Sequence, residues 1–399
     1  MTVLRRHVMD DLPRPPIDPL ARARDLSGRL AASADEIERT QRIPEPLLSA
    51  IHDARLPRML LPRAYGGDEV EPWVYLRTIE EIAKHDGSVA WNLFVANSSA
   101  LIAPFLPPQT ARTIYSDPRT IIAWGPPTAQ RATAVEGGYI VKGRWDFASG
   151  CRQANWMGAH CQVAEPDGSL RLNRWGRPTI RTLLFPAAQA TLIHTWDVIG
   201  LRGTASDSYT VDDVFVPEAF SSTREDPSLR LVRGPLYAFT QQGLYAVGVA
   251  GVAMGLARAM HEAFVSLAKE KAPRNVGRLA DSATIQDKVA RTRAELDAAR
   301  AYLVETLKDI YAQADDIEPI DTPGRARVRL ACAHAITTSE SAADWCYKAA
   351  GTSAIFLGSA FERRWRDLHT VSQQIQSRAQ HFEQVGQILL DVEQPGIFY

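Results

Sequence analysis

The chain has 399 residues, 45% hydrophobic and 23% charged, a globular composition with material for a large core and two or three domains. Its 45 Lys and Arg against 46 Asp and Glu leave a formal net charge of -1, so no global field points to nucleic acid or a membrane surface. Cys151, Cys161, Cys332 and Cys346 lack paired spacing, which argues against a disulfide framework or zinc site and for reduced thiols in a cytoplasm.

The first ten residues carry Arg5, Arg6 and His7, but no apolar run follows, so they do not read as a secretory signal. Residues 18–116 read as helical, with apolar residues at three- and four-residue spacing over 47–56 and 74–82 and a turn at 62–67. The character changes at Thr120. Short alternating runs at 139–143, 156–163, 182–185 and 209–215, separated by Gly-Gly, Pro-Asp-Gly and Gly-Thr-Ala-Ser, predict an antiparallel β domain of about a hundred residues. From Pro235 the chain is helical again. Four long amphipathic segments, 243–268, 284–313, 326–350 and 369–390, suggest a four-helix bundle. The apolar stretch 245–257 is short and Gly-rich for a bilayer span. The expected division is an α-helical domain at 1–118, a β domain at 119–225 and an α-helical bundle at 226–399.

Five stretches then carry a resemblance. They are 80–91 (EEIAKHDGSVAW), 124–127 (WGPP), 143–156 (GRWDFASGCRQANW), 200–217 (GLRGTASDSYTVDDVFVP) and 349–370 (AAGTSAIFLGSAFERRWRDLHT). In this order the chain resembles the acyl-CoA dehydrogenase superfamily over about 26–390. Within it, the chain is similar to the oxygenase components of two-component flavin-dependent monooxygenases. The resemblance implies reduced FMN or FAD delivered by diffusion from an NAD(P)H:flavin reductase, O2 as co-substrate, and a homotetramer. The implied reaction passes through a C4a-hydroperoxyflavin, which needs a dry pocket and a held N5. The substrate would be an aromatic, heteroaromatic or amine small molecule.

A dehydrogenase of this superfamily needs a carboxylate base. The position counted from Asp367 falls near Ile375, among Gln373, Gln374 and Gln376, and no Asp or Glu lies between Asp367 and Glu383. The alternative position, near Tyr245, lies in a stretch without Asp or Glu over 227–260. Acyl-CoA desaturation is therefore disfavoured, while a dehydrogenase with another base and a non-catalytic relative stay open as alternatives.

The resemblance assigns Ser149 to flavin N5 and catalysis, against a plain turn in FASG. It assigns Phe147 to packing on the flavin, with Trp145 and Trp156 near the same ring or in the β core. His369 would face substrate as base or orienter, or else only bond Asp367. Arg202 and Arg274 would contact flavin phosphate, or form surface ion pairs, with Gln286 a further candidate. Gly351 falls where the adenylate half of FAD approaches. Trp91, Asn97, Trp124 and His369 are assigned to the substrate pocket. The helix after Trp91 lacks a histidine, leaving Asn97, Ser98 or Ser99 as neutral polar contacts. Arg363, Arg364 and Arg366 form a basic cluster, read as a solvated face or a subunit contact. The remaining histidines have no metal-ligand spacing, and no metal is expected.

Overall fold

The structure, a computed structural model, describes residues 18–392 except 128, 224–225, 275–276 and 316–317. The first ten residues, and Asn275 and Val276 beside Arg274, fall outside this description. Six helices open the chain: α1 (Pro19–Asp25), α2 (Ser27–Thr40), α3 (Glu45–Asp53), α4 (Pro72–Ala83), α5 (Gly87–Ala100) and α6 (Pro108–Tyr115). Proline stands in the first turn of α1, α3, α4 and α6, where its missing N–H costs nothing. The stretch 80–91 is two helices, because Asp86 leaves the helical conformation and caps α5 by accepting the Val89 N–H at 2.8 Å.

Eight strands follow: β1 (Ile122–Trp124), β2 (Arg131–Val135), β3 (Gly138–Ala148), β4 (Trp156–Ala164), β5 (Ile180–Pro186), β6 (Thr191–Ile193), β7 (Asp207–Pro217) and β8 (Ser221–Ser222). They form one sheet in the order β6-β7-β3-β2-β4-β5-β8, with β1 also on β4. The sheet is mixed rather than antiparallel throughout. Both β1 and β2 lie parallel to β4, at Ile122↔Trp156 and Arg131↔Gln162. Pro126 and Pro127 lie between them, and proline cannot donate to a ladder.

The C-terminal part holds α7 (Pro235–Ala238), α8 (Gln241–Glu270), α9 (Ala283–Gln313), α10 (Thr322–Ala350), α11 (Glu362–Ser372) and α12 (Gln380–Leu389). The segment expected as one helix at 369–390 is broken. Gln374 leaves the helix and its side chain accepts the Gln376 N–H at 2.6 Å. Gln376 is then buried against Arg329 and Gln242, and the chain restarts as α12. Satisfying a buried amide outweighs continuing the helix here.

Helix α8 is the axis of the molecule. It is long and apolar enough to cross a membrane by length and composition, yet 78% of that apolar window is buried inside the protein. One continuous core joins it to α4, α5 and α10. Three glycines make the approach to α4 and α5 possible. A Cβ at Gly248 would lie 2.7 Å from the Phe94 Cβ, one at Gly251 3.1 Å from Ile79, and one at Gly255 would collide with the Glu80 carbonyl oxygen. The sheet has its own core around Trp145 and Tyr209, whose rings stack 5.4 Å apart.

Because the obstacle at Gly255 is backbone, Gly255→Ala should destabilise the protein by about 1–3 kcal/mol through overpacking, despite the helix-propensity gain of about 1 kcal/mol. Denaturant unfolding measures this; a neutral or stabilising result would show that α4 and α8 can separate freely.

Candidate active site

Strand β3 ends in a bulge. Its register against β7 steps from Trp145↔Tyr209 to Ala148↔Asp207, so one residue of β3 is extra and leaves the ladder. Phe147 absorbs the irregularity at φ 60°, a left-handed conformation that costs a non-glycine residue about 1–2 kcal/mol. Its ring is 63% exposed and meets Trp196 edge-on at 6.2 Å. An exposed aromatic on a strained backbone makes this face a candidate functional surface.

Ser149, two residues on, turns inward and is buried. Its Oγ accepts the Trp91 indole N–H at 3.1 Å and lies 2.7 Å from Ser206 Oγ. Ser206 Oγ lies 2.8 Å from Thr204 Oγ1, which donates to the Leu201 carbonyl at 2.9 Å. Three segments meet in this chain: α5, the turn after β3, and the loop between β6 and β7. Trp91 also begins an aromatic ladder, edge-to-face with Phe94 at 4.7 Å, and Phe94 with Tyr245 at 4.9 Å. Burial pushes the Tyr245 phenol above its ordinary value, so it stays neutral near pH 7.

The β6–β7 loop is clamped from every side. Gly203 donates its N–H to Ser88 Oγ at 3.1 Å, and its carbonyl accepts from Asn92 Nδ2 at 3.2 Å. Gly150 donates to the Thr204 carbonyl at 3.0 Å. Leu201 donates to Asp367 Oδ1 at 2.5 Å. Asp207 orients Trp196: its Oδ1 accepts the Thr195 and Trp196 N–H groups at 2.9 and 3.1 Å, and its Oδ2 accepts from Arg152 at 2.7 Å. Burial alone would raise the Asp207 carboxyl, but these hydrogen bonds hold it below its usual value. Asn92 Oδ1 is buried with no hydrogen-bond partner among the described residues. Sequence reading missed Asn92, Thr204 and Ser206, since hydroxyls and amides in a loop carry no spacing signal.

Of the expected residues, the structure brings together Phe147, Ser149 and Trp91. The others are placed elsewhere. Asn97 is fully buried and satisfied: Nδ2 donates to Leu56 O and Leu93 O, and Oδ1 accepts the Leu60 N–H. It locks the 56–60 segment onto α5. Trp124 packs edge-on to His160 at 5.0 Å, over Gly158, at the junction of sheet and helices. Trp145 is fully buried in the sheet core and Trp156 stacks on Phe220, so neither reaches the Phe147 face.

His369 lies on a different face of α11 from Asp367. Two residues turn a helix by about 200°, so Asp367 faces the β6–β7 loop while His369 faces α10. Its Nε2 lies 2.8 Å from Asp344 Oδ1, and its Nδ1 lies 3.8 Å from Glu340 Oε1. Its ring packs 4.2 Å from Trp365, which also donates to Asp344. Nε2 is bonded to a carboxylate of α10 and the ring packs on Trp365, so the imidazole braces α11 against α10. Nor is Asp367 its partner. Ile375, at the expected base position, is 39% exposed in the turn after α11.

Arg202 donates to the Val198 carbonyl at 3.0 Å and lies 3.9 Å from both Glu38 and Asp197. Arg274 and Gln286 are exposed, and Gln286 bonds the Ala280 carbonyl. Gly351 caps α10 at φ 58°, next to Lys271. The basic cluster pairs within the chain: Arg363 with Asp35 at 2.5 Å and Arg366 with Glu38 at 2.8 Å, both on α2.

The sequence profiles of the acyl-CoA dehydrogenase N-terminal and C-terminal domains match residues 21–106 and 247–378. This chain belongs to the acyl-CoA dehydrogenase superfamily. It is 29% identical over 347 residues to the indole-3-acetate monooxygenase of Acinetobacter baumannii, covering 86% of this chain and 87% of that one. It is 26% identical over 406 residues to the oxygenase component of the FADH2-dependent resorcinol hydroxylase of Rhizobium sp. MTP-10005, covering 96% of each. Its fold matches XiaF from Streptomyces sp., a structure solved with FADH2 and glycerol, with a TM-score of 0.87 at 23% identity over 95% of this chain and 96% of that one. The helical, sheet, helical order is thus the acyl-CoA dehydrogenase fold.

Two predictions test this superfamily member's site. Burial pushes Asp367 from 3.8 to about 7, so between those values the folded state holds a proton that the unfolded state has lost. That contribution to stability is fully present below pH 3.8 and disappears as pH rises to about 7. Asp367→Asn removes it, so the stability of the native protein relative to this variant should decline across the window in denaturant titrations. A constant difference would mean an ordinary carboxyl. For His369→Ala, loss of one hydrogen bond should lower stability by about 1 kcal/mol with turnover of the folded protein retained. Stopped-turnover assays on the folded fraction would reinstate a catalytic imidazole if activity collapsed.

Proposed function

We propose that this chain is the oxygenase component of a two-component flavin-dependent monooxygenase acting on an aromatic or heteroaromatic small molecule. The observation that carries the reading is the pairing of the outward Phe147 ring with the buried Trp91–Ser149–Ser206–Thr204 chain behind it. A flat isoalloxazine ring fits such a place. The exposed Phe147 and the Trp196 it meets supply aromatic surface, and the Ser149 oxygen supplies a polar contact at the ring edge. Bound reduced flavin would supply the electrons and activate O2. The reading takes reduced FMN or FAD from a partner NAD(P)H:flavin reductase by diffusion, since both flavins suit this aromatic surface.

The chain's own residues would do the rest. Trp91, Phe94 and Tyr245 offer an apolar wall that excludes water. Asn92 Oδ1 offers an unpaired buried acceptor that a substrate N–H or O–H would satisfy. The aromatic acceptors of the named relatives, indole-3-acetate and resorcinol, both carry such a donor. His369 Nε2 is already engaged by Asp344, which favours this amide for substrate contact. The exposed run Ile355, Phe356 and Leu357, at 60, 67 and 89% exposure, supports assembly with further copies of the chain, as the homotetramer expectation requires. Four buried free thiols suit a reducing, cytoplasmic setting.

The test supplies chemically reduced FMN or FAD, 18O2, and indole-3-acetate or resorcinol as probes. One labelled oxygen atom should enter the organic product. A tightly held FAD that is bleached by an acyl-CoA, with no labelled product, would overturn the reading in favour of a dehydrogenase. Phe147→Ala should weaken flavin binding by roughly tenfold, from the loss of aromatic contact, while moving stability by no more than about 0.5 kcal/mol, as befits an exposed side chain.

A further inference from the structure

The hydroxyl chain behind Ser149 has a direction. Each hydroxyl has one proton to give and two lone pairs. The Trp91 indole only donates, so Ser149 Oγ accepts at that contact. At the far end Leu201 O only accepts, and Thr204 Oγ1 sits 2.9 Å from it. Every contact holds a proton in one arrangement alone: Ser149 donates to Ser206, Ser206 to Thr204, and Thr204 to Leu201 O. The reverse arrangement leaves two oxygens 2.9 Å apart with no proton between them. The carbonyl also receives the Trp196 indole N–H at 2.9 Å and the Thr204 N–H at 3.1 Å, which fixes it as the sink of the chain.

We infer that Thr204 and Ser206 are positioning residues that hold the Ser149 hydroxyl as an acceptor towards the flavin, and so select the reduced cofactor. The inference rests on the flavin site proposed above. Reduced flavin carries a hydrogen on N5 and can donate it to the spare lone pair of Ser149. Oxidised flavin has only a lone pair on N5, which would face another lone pair. For oxidised flavin to gain a hydrogen bond from Ser149, the whole chain must reverse and strip the proton from the Thr204–Leu201 contact. The penalty falls on one redox state only, without any charged residue. An isolated serine at position 149 would serve both states equally, because its hydroxyl rotates freely.

The readout is the ratio of dissociation constants for oxidised and reduced FMN, the reduced form being titrated anaerobically. Thr204→Val keeps the side-chain shape and deletes the terminal donor, leaving Ser206 to donate to Ser149. Ser206→Ala cuts the chain and frees the Ser149 proton. Each should lower the oxidised-to-reduced ratio by about three- to tenfold, the worth of one hydrogen bond, chiefly through tighter binding of oxidised FMN. Thr204→Ser restores the hydroxyl and should restore the ratio, which guards against simple misfolding. In a Ser149→Ala background Thr204→Val should have no further effect on the ratio. An unchanged ratio in Thr204→Val and Ser206→Ala, with reduced FMN still bound by the native protein, would overturn the polarity device and leave the flavin site standing. Failure of the native protein to bind either form would overturn both.

Discussion

The short loop Gly200–Ser206 holds the candidate site together, because it is bound at once by the N-terminal helices, the sheet and the C-terminal helices. Asp367 on α11 accepts the Leu201 N–H, Ser88 on α5 accepts the Gly203 N–H, Asn92 on α5 donates to the Gly203 carbonyl, and Gly150 after β3 donates to the Thr204 carbonyl. The loop can come this close only because its glycines lack side chains. A Cβ at Gly200 would strike the Arg366 carbonyl, and one at Gly203 would strike Ile37. Leu201 and Ala205 accept left-handed conformations, φ 51° and 42°, to fit between these anchors. Once the loop is fixed, Thr204 and Ser206 have defined positions, and Ser149 inherits one from them.

This arrangement is energetically unusual. Asp367 and Asp86 are both buried close to this seam, and burial pushes their carboxyls up to about 7 and about 6. An apolar residue would avoid that cost, yet it would leave the Leu201 N–H, or the start of α5, without an acceptor in the interior. The carboxyls are tolerated because they satisfy backbone donors where the chain has no regular ladder to do so. The nearby arginines Arg363 and Arg366 find their ion pairs on α2 instead, which ties the first long helix to the last part of the chain.

Legibility in the sequence followed the range of the interactions. Periodicity revealed the order of helices, strands and helices, since that signal is local. It failed where a distant partner decides. Nothing near Gln376 reports that Arg329, 47 residues away, will hold it and break the helix. Nothing near β4 reports that two preceding strands will lie parallel to it. At the candidate site, the motif singled out Phe147 and Ser149 as candidates, whereas Ser206, 57 residues from Ser149, was one serine among many. His369 shows a different limit. Its place on a helix was legible and its Asp344 partner was not, because a sequence places a residue on a helix while the packing of that helix decides which neighbour it meets.

Two features of the surface remain costly for an isolated chain. Phe147 carries backbone strain and an exposed ring, and the run Ile355–Phe356–Leu357 exposes three large apolar side chains on the turn after α10. A core would remove the second cost and a relaxed strand the first. The bulge in β3 prevents the relaxed strand: closing the register at Trp145↔Tyr209 and Ala148↔Asp207 forces one residue out, and Asp207 cannot shift because it holds Arg152, Thr195 and Trp196. The strain at Phe147 is therefore set by the same buried carboxylate that orients Trp196 beside it. The exposed aromatic surface is built into the register of the sheet, and a planar ligand laid on it would recover the area that the fold leaves open.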